Sequence, residues 1–445
     1  MAFTKILIAN RGEIAMRVIR AARDLGIPTV AVHSTADRAS PHVRMADESV
    51  CIGPPSSTES YLNVPVLLSA CEITGADAVH PGYGFLSENA QFAELCTVSG
   101  ITWIGPPPKA IEAMGDKIQA RKLMQAAGVP ILPGTPGAIE DVDAARSIAD
   151  SIGYPMILKA AAGGGGRGMK IVERGEDLEQ SYLTCSTEAV AAFGSGAVYM
   201  ERFLRRPRHV EFQVAIDNDG NGVHLFEREC SVQRRHQKLA EEAPCVALDT
   251  ATRARVGALC VEASQSIGYR GVGTFEFLFD DGDLFFMEMN TRIQVEHPVT
   301  EQITGVDLVR LQIEIARGKP LPFDQAGVPG PFGHSMEFRI NAETSDKFLP
   351  SPGTITHYEA PGGPGVRVDG MAHAGYTVLP HYDSMISKLI ITGDDRDHCM
   401  ARAKRALSEF RVEGVATTIP FHLRLLNDPR FVAGDYDTNL IAEMS

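Results

Sequence analysis

Lys159-Ala-Ala-Ala-Gly-Gly-Gly-Gly-Arg-Gly-Met169 stands between two short apolar runs, Pro155–Lys159 and Met169–Val172. Four consecutive glycines followed by Arg-Gly cannot pack a core. Their use is a flexible loop whose backbone N–H groups close over an anion. The stretch lacks the Gly-Lys-Ser/Thr ending of a P-loop. It sits on a hairpin instead, and a hairpin-borne glycine lid fits a nucleoside triphosphate. The plainer alternative is a hairpin tip without a ligand. Lys159 argues against it, because a lysine ending an apolar strand needs a partner for its charge.

Upstream of the lid, strand and helix alternate. Lys5–Ala9 is a short apolar run of the buried parallel-strand kind. Gly12–Leu25 carries Ile14, Val18, Ile19 and Ala22 at helical spacing, and Gly26 stops it. Pro28–Val32, Ala76–Val79 and Ile101–Ile104 read as further strands. The alternation predicts a doubly wound α/β domain over 1–115. A helix over Asp116–Ala127 follows. A connector, Gly128–Gly137, then holds three prolines and three glycines. The lid subdomain closes the middle segment, 116–203. Beyond it, over 204–445, the pattern predicts antiparallel strands at Val210–Ile216, Val223–Phe226, Thr274–Phe279 and Leu284–Met289, with helices near 251–267 and 302–317. The fold class is therefore mixed α/β and α+β.

The 445 residues carry 42 Lys+Arg against 56 Asp+Glu, a formal net charge of −14. That balance argues against a duplex nucleic-acid binder, because phosphate contacts need clustered positive charge. It leaves room for a small anion held by local basic residues. No apolar run is long enough to span a membrane, and the N-terminus does not read as a signal peptide. The eight cysteines show no Cys-x-x-Cys pair, as expected of free thiols in a reducing cytoplasm. Cys230, in a polar stretch, is the candidate for a reactive one.

Four further stretches carry chemistry. In Thr274–Asn290, Glu276 and Glu288 each interrupt an apolar strand. With the Asn290 amide they make a hard-oxygen site suited to Mg²⁺. A two-residue turn at Asp281-Gly282 would pair Glu276 with Met287. A three-residue loop or a bulge would set it opposite Glu288, which is the predicted form. In Asn290-Thr-Arg-Ile-Gln-Val-Glu-His-Pro298, a continuing strand would align Arg292, Gln294 and Glu296 on one side. Arg292 suits a planar oxyanion and Glu296 its proton. Gln233, Arg234, Arg235, His236 and Lys238 form a dense donor cluster. Arg339, alone in an apolar strand, needs an anionic partner.

Together with Ile8–Ala15, His80–Asn89, Met114–Lys117, Phe348–Gly353 and Tyr382–Ile386, these stretches resemble the biotin carboxylase family of the ATP-grasp superfamily, over essentially the whole chain. The resemblance implies that ATP, bicarbonate and biotin give ADP, phosphate and carboxybiotin through carboxyphosphate. It implies that Lys117, Lys159, Gly165 and Gly166 hold ATP phosphates. Glu201, Arg202, Phe203 and Leu204 would meet adenine and His209 the ribose, with Gln233 and His236 nearby. Glu276, Glu288 and Asn290 would hold Mg²⁺, or Mn²⁺ in its place. Lys238, Arg292, Gln294 and Val295 would bind bicarbonate, with Glu296 as base. Arg339 would stabilise the biotin anion, with Tyr83 at the ring. The implied partners are a biotin carboxyl carrier protein, carboxyltransferase subunits of acetyl-CoA carboxylase serving fatty-acid synthesis, and a second copy of the chain contacting through Arg20, Asp24 and Arg367. A Lys between two Met residues, the carrier's attachment site in relatives, does not occur, since Lys170 follows Met169 but precedes Ile171. Two other readings compete: an ATP-grasp ligase joining an acylphosphate to an amine, and a nucleotide-sensing module without turnover.

Overall fold

A computed structural model describes residues 3–135, 137–139, 141–161, 168–235 and 237–444. Ile6–Ile8 (β1) is wholly buried and lies at the centre of a five-stranded parallel sheet. Thr29–Ser34 (β2), Glu48–Gly53 (β3), Ala78–His80 (β4) and Thr102–Trp103 (β5) complete it in the order β3-β2-β1-β4-β5. β3 was not expected from the sequence. The chain winds outward from β1 in both directions, so the order reverses between β1 and β4. Ligands of open α/β sheets sit at such a switch point. Asn10, just after β1, ties the two loops together there: its amide donates to the Pro81 and Tyr83 carbonyls at 2.7 and 2.8 Å. Gly82 is required between them. Its φ is +62°, and a Cβ would meet the Ile14 side chain at 2.9 Å.

The helix Gly12–Asp24 (α1) packs against Leu308–Ala316 and Val366–Gly370 of the last part of the chain, which explains why its Glu13 and Arg17 are buried. Lys117–Ala126 (α2) is capped by Asp116, whose carboxylate accepts from the Ile118 and Gln119 N–H groups. Val142–Ile152 (α3), Met156–Ala160 (β6), Met169–Val172 (β7), Leu178–Phe193 (α4) and Val198–Arg202 (β8) build the lid. Its sheet is antiparallel, in the order β7-β6-β8. Met156, Leu158, Val172, Leu178, Val198 and Met200 give it a small core of its own. Ala162–Arg167, and with them Gly165 and Gly166, lie outside the described residues.

The remainder is organised on one antiparallel sheet of eight strands. These are Arg208–Ile216 (β9), Gly222–Arg234 (β10), Gln237–Ala243 (β11), Gly271–Asp280 (β12), Asp283–Asn290 (β13), His334–Asn341 (β14), Val366–Gly370 (β15) and Met385–Gly393 (β16). Their order is β13-β12-β9-β10-β11-β14-β16-β15. Helices Thr250–Ser266 (α5), His297–Thr304 (α6), Leu308–Ala316 (α7) and Arg396–Glu409 (α8) pack on it.

Three sequence expectations change here. β13 ends at Asn290, so the strand does not run on to Pro298. The chain turns through Thr291–Glu296 and enters α6, where Pro298 takes a first-turn position with no N–H to lose. The single helix expected near 302–317 is two, because Gly305 ends α6 in the left-handed region and Asp307 caps α7. β10 runs far past Phe226, because Glu227, Arg228 and Glu229 continue it as buried, paired charges. The hairpin expectation holds in its bulged form. A two-residue turn at Asp281-Gly282 pairs Phe277 with Phe286, and a bulge then sets Glu276 opposite Glu288.

Candidate active site

The charged residues of the large sheet converge on one point. Lys238 Nζ donates to Glu211 Oε2 at 2.6 Å, Glu276 Oε1 at 3.0 Å and Glu296 Oε1 at 2.5 Å. Arg339 reaches Glu296 Oε2 with Nη2 at 2.9 Å and Glu241 Oε1 with Nε at 2.7 Å. Glu296 is thus held between two cations, brought by β11 and β14. Its position just before α6 places it there, although the strand that was to deliver it does not exist.

These contacts set the protonation states. Burial alone would raise the Glu296 carboxyl, but Lys238, Arg339 and Arg228 together hold it far below the usual carboxylate range. Glu276 behaves alike: burial opposes its charge, and Lys238 and His209 overcome that. Burial works against the Lys238 ammonium, yet its three carboxylates keep it charged well above the ordinary range.

The floor beneath is a second set of charges. Arg228 Nε donates to Glu211 Oε1 at 2.5 Å, and its two terminal nitrogens reach Gln213, Thr300, Thr274 and Gln294 at 2.8–3.2 Å. Gln294 passes the contact on, donating to Glu276 Oε1 at 2.7 Å. Arg292 takes another direction, with Nε on Glu88 Oε2 at 2.9 Å and Nη2 on Asn290 Oδ1 at 3.0 Å. Glu88, Glu211, Arg228 and Glu241 are site residues that the sequence reading missed. Glu211 and Glu241 carried the signal used for Glu276, a carboxylate inside a strand. Glu88 lay within His80–Asn89 without an assigned role.

The side at Glu288 and Lys117 is more open. Glu276 is buried and Glu288 is 37% exposed in its side chain, next to Lys117 Nζ at 3.1 Å. Asn290 Nδ2 donates to Glu276 Oε1 at 2.8 Å, and His209 Nε2 stands 3.2 Å from Glu276 Oε2. Two carboxylates on neighbouring strands beside an amide are oxygen donors of the kind a hard divalent cation takes. The residues therefore fit Mg²⁺. In the lid, Lys159 Nζ donates to Glu201 Oε2 at 2.5 Å, and Arg121 also pairs with Glu201. The Arg202 and Phe203 N–H groups are taken by the Pro133 and Pro155 carbonyls, at 2.9 and 3.1 Å. Gln233 pairs with Lys238 across β10 and β11. His236 lies outside the described residues. Cys230 is not the reactive thiol: it is buried, and burial with nearby Glu211 pushes it well above the usual range. Among the described cysteines, Cys51 is the exposed one.

A cavity of about 510 Å³ opens beside Glu296, lined by Tyr83, Glu13, Arg292, Val295, Arg339 and Tyr382 among others. It lies at the switch point of the parallel sheet and reaches β11, β14 and β16 of the large one. Arg20, Asp24 and Arg367 come together elsewhere, around a groove between α1 and β15. No helix among the described residues is long and apolar enough to cross a membrane.

Comparison with known proteins agrees with this layout. Family models match at residues 2–111 (biotin carboxylase, N-terminal domain), 116–323 (carbamoyl-phosphate synthase L chain, ATP binding domain) and 337–443 (biotin carboxylase C-terminal domain). A biotin carboxylase of Haemophilus influenzae is 55% identical, over 97% of this chain and 96% of that one. A pyruvate carboxylase subunit of Methanothermobacter thermautotrophicus is 52% identical, over 99% and 90%. Among solved structures, the chain is similar to a biotin carboxylase–ATP complex from Campylobacter jejuni, with TM-score 0.97 and 49% identity over 99% of both chains. It is also similar to the biotin carboxylase domain dimer of a Hydrogenobacter thermophilus 2-oxoglutarate carboxylase in complex with MgADP, ADP and bicarbonate. There the TM-score is 0.95 and the identity 48%, over 100% of this chain and 98% of that one.

Proposed function

The chain belongs to the biotin carboxylase family, and from that premise we propose that it carboxylates biotin at the expense of ATP and bicarbonate, through carboxyphosphate. The single observation that carries the reading is Glu296, clamped between Lys238 and Arg339 at the rim of the cavity. Two cations around one base are what two successive anionic species require.

Lys117 and Lys159 would bind the ATP phosphates, Gly165 and Gly166 would close over them, and Glu201 to Leu204 would meet adenine, with His209, Gln233 and His236 beside the nucleoside. Mg²⁺ on Glu276, Glu288 and Asn290 would supply charge neutralisation at the phosphates. Lys238, Arg292, Gln294 and Val295 would orient bicarbonate, and Glu296 would accept its proton. In its present contacts Glu296 is a weak base, because both cations are directed at it. As Lys238 turns to bicarbonate, that restraint falls and the carboxylate's proton affinity rises. Arg339 then serves the anion formed when biotin loses its N1′ proton, with Tyr83 at the ring. The assignment supports a division of labour among residues 1–115, 116–203 and 204–445.

The finer reading is the first half-reaction of acetyl-CoA carboxylase in fatty-acid synthesis, in the cytoplasm. Biotin would ride on a biotin carboxyl carrier protein, a carboxyltransferase would act next, and the chain would be a homodimer through the groove at Arg20, Asp24 and Arg367. The pyruvate carboxylase relative favours a second acceptor, pyruvate, and the two differ only in the transferase that follows. ADP release, measured with bicarbonate and biotin omitted in turn, tests the core reading: cleavage is expected to need bicarbonate and to rise with biotin. Cleavage indifferent to both would overturn it. Adding carrier with either transferase, and assaying malonyl-CoA against oxaloacetate, decides the acceptor.

A further inference from the structure

Four polar groups, from four distant parts of the chain, connect one side of the cavity to the other. Tyr83 Oη donates to Glu13 Oε2 at 2.6 Å. Glu13 Oε1 has no hydrogen-bond partner and faces Lys388 Nζ at 3.3 Å. Lys388 Nζ donates to the Val295 carbonyl at 2.7 Å. Glu13 and Lys388 are 3% and 0% exposed in their side chains, and Tyr83, Glu13 and Val295 all line the cavity. The buried pair therefore joins two groups that meet the cavity's contents.

A structural ion pair would account for less than this. A buried lysine needs an anion, and Glu13 supplies one from the first turn of α1, where a carboxylate is favoured. Asp369 adds to the field holding Lys388 charged. The buried ammonium also needs acceptors for its N–H groups, and the Val295 carbonyl supplies one. That bond acts on the peptide joining Val295 to Glu296. In a planar trans peptide the C=O and N–H point in opposite directions, so pinning the Val295 carbonyl also sets the Glu296 N–H. Glu296 is the base of the proposed reaction, and Tyr83 is its expected contact with the biotin ring.

We propose that Glu13 and Lys388 are positioning residues that couple the biotin side of the cavity to the bicarbonate side. A biotin ring that draws the Tyr83 hydroxyl off Glu13 leaves the full Glu13 charge to Lys388. Lys388 Nζ then shifts its bond away from the Val295 carbonyl, and the Val295–Glu296 peptide gains freedom to turn toward bicarbonate. The coupling is reciprocal, so bicarbonate changes biotin affinity by the same factor. The inference rests on the functional reading above.

The test uses the full-length enzyme and reads the KM for bicarbonate in ADP release, without and with saturating free biotin. In the wild type the two values are expected to differ by at least about fivefold, the lower end of usual coupling between sites. In Glu13→Gln and Lys388→Met the ratio is expected to fall within about twofold of one, with KM for ATP unchanged. A purely structural role would shift both bicarbonate values together and leave their ratio. Tyr83→Phe removes one hydroxyl at the cavity wall and leaves the core intact, so it must show the same collapse even where a buried variant does not fold. A wild-type ratio near one, or an undiminished ratio in Tyr83→Phe, overturns the coupling alone. Loss of bicarbonate dependence in the wild type overturns the functional reading beneath it.

Discussion

On the large sheet, Lys238 meets three buried carboxylates, at 2.6, 3.0 and 2.5 Å, and Arg228 beneath it bonds five side chains. In the lid, Lys159 has one carboxylate, Glu201, shared with Arg121. The sheet's charges are built against one another, so in the proposed reaction a substrate would enter by taking over contacts that already exist. The lid holds its lysine by a single pair on a small separate core. One region is set before the substrates arrive, and the other is suited to answer them. Removing one member of the first should disable chemistry, while the second should show itself as a change in protection.

The largest effect is expected at Glu296. Glu296→Ala removes the proposed proton acceptor and leaves Lys238 and Arg339 without their shared partner. Bicarbonate-dependent ADP release and carboxybiotin formation should both fall by about 10²–10⁴-fold, the range of general-base contributions. Near-wild-type release of ADP would mean that the clamp is only structural.

Arg339 should split what Glu296 keeps together. Carboxyphosphate would still form without it and would decompose to CO₂ and phosphate. Arg339→Gln should therefore retain ADP release while carboxybiotin drops further, by about 10²–10³-fold if the guanidinium acts as one preorganised oxyanion donor. Parallel losses of both products, with ATP binding intact, would count against its place on the biotin side.

For the lid, ATP at about 100 times its Kd stabilises the bound form by roughly 2.7 kcal/mol, so amides there that exchange through opening should slow by up to about 100-fold. The amides of β6–β8 should respond more than those of the five-stranded parallel sheet. An equal response in both regions would erase the distinction between a set floor and a closing lid.

The same contrast governs what the sequence discloses. Apolar runs announced β1, β9, β12 and most of the lid, because hydropathy is local. The glycine run predicted a loop closing over an anion, and Ala162–Arg167 lie outside the described residues. Glu276 opposite Glu288 was legible from turn parity, although the spacing comes from a two-residue turn with a bulge. What stayed hidden is what depends on partners far along the chain. β10 reads as polar at Glu227, Arg228 and Glu229, and only contacts with β9, α5 and α6 make those residues interior. The alignment of Arg292, Gln294 and Glu296 was inferred from a strand that the chain does not form. All three still reach the site, because their partners Glu88, Arg228, Lys238 and Arg339 hold them there.

The smallest effect is one of stability, and it probes how fully the sheet's charges are compensated. Glu241 and Glu337 face each other across β11 and β14, buried, on either side of the strand positions that lead to Arg339. Two carboxylates directly opposite repel unless one carries a proton. Burial raises both: Glu241 is pushed up to about 7 despite its bond to Arg339, and Glu337 goes well above the usual range despite Lys388. The unfolded chain would release these protons near the ordinary glutamate value of about 4.3. Between there and about pH 7 the native state binds more protons than the unfolded one, so stability is full at the acid end and falls as pH rises. One such proton contributes a slope of up to about 1.4 kcal/mol per pH unit. His42, His80, His224, His297 and His422, pushed down by burial, act in the opposite sense, so the informative quantity is a difference. Glu337→Gln keeps the shape and removes the titration. Denaturant unfolding at pH 5, 6, 7 and 8 should show wild type losing stability relative to this variant as pH rises. Identical slopes would mean that both carboxylates are ionised in the native sheet and that Arg339 and Lys388 compensate them fully.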